Sequence, residues 1–121
     1  MARNPIGDER ELLLTAYREF NARHIDAVLA LMHLHVVWPN GMEGGYVHGH
    51  DGVREYWTRQ WGIVDPHVQP MSFERDAQGR TVVSVHQVVR DLSGKLLIDT
   101  TVRHAYSIRD SLIERMEIES S

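Results

Sequence analysis

Three runs near the C-terminus constrain this chain most: Thr81–Arg90, Leu96–Ile108 and Leu112–Ile118 are rich in valine, isoleucine and threonine and are parted only by short turns. β-Branched side chains pack well on a pleated surface, so the three read as successive strands. The link Asp91-Leu92-Ser93-Gly94 has the chemistry of a type I turn followed by a glycine bulge, which makes the first two runs an antiparallel hairpin. Strands of this length need an apolar layer against one face.

The N-terminal half supplies that layer. Leu12, Leu13, Ala16, Tyr17 and Phe20 recur at three-and-four spacing, which predicts an amphipathic helix from about Asp8 to Asn21. A shorter helix is expected over Ile25 to Met32, with Asp26 in its first turn, where the helix dipole favours a carboxylate. His35 to Trp38 switches to strand-type residues and ends in the turn Pro39-Asn40-Gly41, and Tyr46 to His48 forms a short strand after the Gly44-Gly45 pair. A third helix starts near His50-Asp51 and runs to Trp61, with Val53, Trp57 and Trp61 four apart on one face. Pro66 and Pro70 are expected to fence off a connector, with Met71 to Arg75 as one more strand. Helices first and a meander after is the order of an α+β domain.

A chain of 121 residues fits one domain, 1–121, whose core needs no staple. With 13 basic against 17 acidic residues there is no basic field for nucleic acid. The lack of cysteine excludes disulfides, thiolate catalysis and Cys-ligated zinc, and fits a reducing, cytoplasmic compartment. The charged start MARNPIGDERELLL lacks the apolar core of a secretory signal, and no run approaches the ~20 apolar residues of a membrane span, so no membrane association is expected.

All three tryptophans lie between His35 and Trp61, close to the glycine-rich turn, where so many large rings suggest the wall of an apolar cavity. Helical hairpin, VVWPNG turn, GHDGVREYW helix start and a meander ending HAYSIRDSLIERMEI together resemble the SnoaL-like polyketide cyclases of the nuclear transport factor 2-like superfamily, over nearly the whole chain. The resemblance implies a cone-shaped half-barrel of bent antiparallel sheet, with three N-terminal helices on its concave face around a deep pocket. It also implies a homodimer through the sheet and a small apolar, aromatic or polyketide-like ligand carrying oxygen. The superfamily hosts both enzymes and binders, so two readings stand: cofactor-free acid–base catalysis (cyclase, isomerase or dehydratase) or non-catalytic binding.

The ketosteroid isomerase branch places a base just before a proline after the first strand and an acid on the next-to-last strand. Alignment on Pro39 puts Trp38 at the base position, and an indole cannot abstract a proton. Alignment on the final hairpin puts His104 at the acid position. Strand parity places Ile98, Val102, His104 and Tyr106 on one face, taken as the cavity face. The turn register pairs Asp91 with Lys95, His86 with Thr100 and Val82 with His104, so His86 is expected on the same wall. His104 and His86 are thus the candidate catalytic groups, since a buried imidazole stays neutral and can donate or accept. Tyr17, Trp38, Trp57, Trp61 and Tyr106 are candidate ligand contacts in the walls, and Asn40, Tyr46 and His48 near the mouth. A hydroxyl such as that of Tyr17 or Tyr106 is also a possible partner for His104. The pairs His33/His35 and His48/His50 have the look of metal ligands but lack a third, so no metal is expected. A different class of function, an interaction module, would bury Val83, Val85, Val89, Leu97 and Thr101 as an outer face against a second copy.

Overall fold

In a computed structural model of the chain, which describes residues 5–120, the strand-rich half forms one curved, unclosed sheet with the helices packed on it. The elements are α1 (Pro5–Asn21), α2 (Ile25–Leu29), β1 (Met32–Pro39), β2 (Tyr46–His48), α3 (Gly49–Trp61), β3 (Val64–Arg75), β4 (Thr81–Asp91), β5 (Leu96–Arg109) and β6 (Leu112–Ser120). Residues 1–4, on which part of the signal-sequence reading rests, lie outside the described residues. The sheet runs β2-β1-β6-β5-β4-β3. From β3 to β6 it is an antiparallel meander, while β1 joins β6 in parallel and β2 folds back on β1.

The helices bury the stripes that their spacing announces. Leu13, Ala16 and Tyr17 of α1 and Val53, Tyr56 and Trp57 of α3 are in the core, with Phe20 and Trp61 packed against it. The second helix is shorter than expected, because the chain turns extended at Met32 and β1 begins three residues before His35. No linker separates β2 from α3. Gly49 makes that junction possible: its φ is +72°, and a Cβ there would lie 3.3 Å from the Leu34 carbonyl oxygen.

Pro66 and Pro70 do not interrupt β3, which runs unbroken past both to Arg75. They are tolerated because β3 is an edge strand, where a missing N–H removes no ladder bond. Val68, of the same parity, shows where these backbone groups point. Its N–H donates to Asn21 Oδ1 at 3.0 Å and its carbonyl accepts from Asn21 Nδ2 at 2.7 Å, so the end of α1 caps the free edge. An edge blunted by proline and by a side-chain amide is poorly suited to pairing with another chain.

The β4–β5 hairpin carries one decisive irregularity. Its turn is the expected one, with Asp91 N–H donating to the Lys95 carbonyl at 2.8 Å and Gly94 at φ +96°. Arg90 pairs with Leu96, but Val89 already pairs with Ile98, so Leu97 is a bulge. One extra residue inverts the facing of β4 against β5: His104 sits opposite Val83 and Thr101 opposite His86. The buried Val83, Val85 and Val89 therefore belong to the inner face, not to the outer face expected of them.

Candidate functional site

Between helices and sheet lies a cavity of about 240 Å³ lined by residues from α1, α3, β1 and the meander. Its walls include Phe20, Trp38 and Trp57, with Trp38 meeting Trp57 edge-on at 5.5 Å between centroids. Its open end is rimmed by Met42, Leu97, Ile98 and Ile118, all of which are exposed. The polar side chains in the lining are Tyr17, Tyr56, Gln60, Gln87, His104 and Tyr106, and none of them carries a formal charge at neutral pH when the imidazole is unprotonated.

His104 comes from the inward face of β5, where parity put it, and is buried. Its Nδ1 lies 2.9 Å from the Tyr17 hydroxyl, and the Tyr106 hydroxyl donates to that of Tyr17 at 2.8 Å. The Tyr106 hydroxyl has no other partner among the described residues, so its proton goes to Tyr17 and the Tyr17 proton to Nδ1. That order leaves the imidazole hydrogen on Nε2. Nε2 has no partner among the described residues, and it is not among the buried unpaired atoms, so it keeps access to the cavity that His104 lines.

Burial lowers the His104 pKa to about 4, which keeps the ring neutral near pH 7. Burial likewise raises the pKa of Tyr17, with Tyr106 adding to the effect, and that of Tyr106, so both phenols stay protonated. The result is a fixed chain of neutral groups that presents one N–H to the cavity.

The other expected site residues divide cleanly. Tyr17, Trp38, Trp57 and Tyr106 line the cavity, and Trp61 does not: it stacks behind Trp57 at 5.8 Å between ring centroids, with the Arg23 guanidinium 5.0 Å from its own ring. His86 is on the outer face through the Leu97 bulge, where its Nε2 bonds Asp99 at 2.6 Å. Asn40 holds its own turn, its Oδ1 accepting from the backbone of Met42 and Glu43. Tyr46 is outside, donating to Glu117 at 2.5 Å beneath Arg115. His48 is exposed at the start of α3. Of the paired histidines, His50 donates from Nε2 to the Met32 carbonyl at 2.9 Å, and among the described residues no group of three potential ligands stands ready for a metal.

Sequence reasoning missed Tyr56, Gln60 and Gln87. The first two were within reach, because Gln60 falls on the stripe of Val53, Tyr56 and Trp57, where a polar residue invites a question. Gln87 was not, since its facing depends on the bulge.

The model of the SnoaL-like domain matches residues 14–116. Among solved structures, TerC co-crystallised with polyporic acid is 28% identical, with 94% of this chain and 92% of that one covered and a TM-score of 0.81. A protein of unknown function from Burkholderia pseudomallei, described as NTF2-like, is 22% identical with a TM-score of 0.80, covering 94% of this chain and 91% of its own. RV0760c from Mycobacterium tuberculosis, solved with estradiol-17beta-hemisuccinate, is 15% identical with a TM-score of 0.79, covering 94% of both chains. The latter two likenesses are of fold alone. No curated protein sequence matches.

Proposed function

The chain belongs to the SnoaL-like domain family, and from that premise we propose that its cavity holds a compact, neutral, largely apolar or aromatic ligand whose oxygen accepts a hydrogen bond from His104 Nε2. The observation that carries this reading is the Tyr106–Tyr17–His104 chain, which uses up Nδ1 and leaves Nε2–H facing open space. An N–H open to the cavity and not engaged by the protein is available to a ligand oxygen, and that hydrogen bond adds to binding. The neutral lining favours a ligand without formal charge, and the aromatic walls favour flat rings. The 28%-identical TerC, solved with polyporic acid, supports a small-molecule pocket.

The chemistry within reach of such a site is polarisation of a carbonyl. A fixed N–H in the cavity wall stabilises negative charge as it grows on oxygen, which is what a cyclase, isomerase or dehydratase needs in its transition state. Proton abstraction has less support, since the cavity lining contains no carboxylate and the Nε2–H tautomer is not a base at that atom. Binding with carbonyl polarisation is therefore the reading we adopt, and it needs no cofactor.

Calorimetric titration with benzophenone and with diphenylmethane, which lacks the oxygen, tests it. The wild type should bind the ketone about tenfold more tightly, and His104→Phe should erase that preference while leaving diphenylmethane binding intact. Equal affinities in the wild type would remove His104 from the site. His86→Ala serves as the control, with no change expected in either affinity.

The outer sheet face is the surface that the resemblance offers to a second copy. It carries His86, Asp99 and Arg103, so a dimer through it would be polar rather than packed on valines. Light scattering at micromolar concentration decides between a doubled and a single mass. A cytoplasmic location accords with the absence of cysteine, and no helix of the described residues is long and apolar enough to cross a membrane.

A further inference from the structure

The inward row of β4 runs Val83, Val85, Gln87 and Val89, an amide set among valines. A fourth valine would suit a pleated, half-buried surface better, and an amide among apolar side chains costs solvation unless something bonds it. Nothing in the described residues does, since neither Oε1 nor Nε2 of Gln87 has a hydrogen-bond partner there. Neither atom is among the buried unpaired ones, so both keep accessible surface, and the side chain lines the cavity. With both ends of the amide unengaged, turning it over changes nothing.

The Leu97 bulge sets where this amide stands. Gln87 faces Thr100 on β5 and Val68 on β3, toward the open end that Leu97 and Ile98 rim. The other neutral polar groups of the lining have partners: Tyr56 and Gln60 lie 3.3 Å apart, and Tyr17 and Tyr106 bond at the floor. His104, opposite Val83, is four positions back, about 13 Å along the strands at a rise of ~3.3 Å per residue. The cavity thus offers an N–H at its floor and an amide toward its mouth. An amide donates and accepts, so a hydroxyl, which does both, satisfies it more fully than a carbonyl or an ether.

We propose that Gln87 is a specificity-determining contact, hydrogen-bonding a ligand hydroxyl at the end of the molecule away from the oxygen held by His104. The contact rests on the cavity being a ligand site, as read above. Hydrogen bonds of ~3 Å made from two points about 13 Å apart leave roughly 7–13 Å between the ligand's two oxygens. The ligand class narrows to a flat aryl ketone with a hydroxyl at its far end, its rings against Trp38 and Trp57.

The test is calorimetric titration of the wild type and Gln87→Leu with para-acetylbiphenyl and with its analogue carrying a hydroxyl at the far para position, each protein first checked for a cooperative thermal melt. The wild type should prefer the hydroxylated ketone by about fivefold, and Gln87→Leu should bring that preference below about twofold. Should Gln87→Leu fail to fold, Gln87→Met, of nearly the same length, gives the same readout. Equal binding of the two biphenyls by the wild type, or a preference that survives the substitution, overturns the contact and leaves the cavity reading standing. A wild type that binds benzophenone but neither biphenyl overturns it as well. One that binds none of the three sinks the cavity reading with it.

Discussion

The Tyr17 hydroxyl bonds His104 Nδ1 at 2.9 Å across 87 positions of sequence, tying the first helix to the fifth strand at the floor of the cavity. Removing that hydroxyl leaves Nδ1 and the Tyr106 hydroxyl both buried and unpaired. Tyr17→Phe should therefore cost about 1–3 kcal/mol, read as a lower midpoint in urea at unchanged slope. An unchanged midpoint would mean that the chain of hydroxyls contributes nothing.

The depressed pKa of His104 makes stability depend on pH. Its folded value of about 4 lies below the unfolded value of 6.5, so the unfolded state binds the proton first. The stabilisation is complete above pH 6.5 and is lost as pH falls toward about 4, amounting to about 3 kcal/mol. Thermal melts across that window should show the loss in the wild type and a visibly flatter profile in His104→Phe. Parallel profiles would contradict the assignment.

Asn21 closes the edge of β3 with two hydrogen bonds to Val68. Asn21→Ala should destabilise by about 1–3 kcal/mol and speed hydrogen exchange at the Val68 amide more than at amides of β4. Uniformly faster exchange would point instead to a global effect.

At Gly49 a side chain meets both an unfavourable φ and the Leu34 carbonyl. Gly49→Ala should lose about 1–3 kcal/mol, whereas Gly79→Ala, also at positive φ but in open space, should lose less. Equal losses would show that contact with Leu34 does not matter.

Much of this fold was legible because period and parity are local. The stripe of Leu13, Ala16 and Tyr17 and the alternation along β5 each follow from residues a few positions apart, and that alternation, with the apolar character of the even-numbered face, points His104 inward. The error at His86 came from the one step that was not local. Face assignment on β4 was carried across the turn from β5, and the bulge at Leu97, which no residue of the hairpin advertises, reversed it. The prolines of β3 misled for a related reason: whether a proline breaks a strand depends on whether the strand is an edge, which is a property of the whole sheet. Trp61 shared the spacing of Trp57 but lies one layer behind it, since helical periodicity gives a face and not a depth.

The most direct test of the central claim is a long-range proton–nitrogen spectrum of the histidine rings near pH 7, with and without saturating benzophenone. His104 should appear as the neutral tautomer protonated at Nε2, and its Nε2–H resonance should move downfield when the ketone binds. A proton on Nδ1, or an Nε2–H resonance that stays in place while calorimetry shows the ketone bound, would contradict the account.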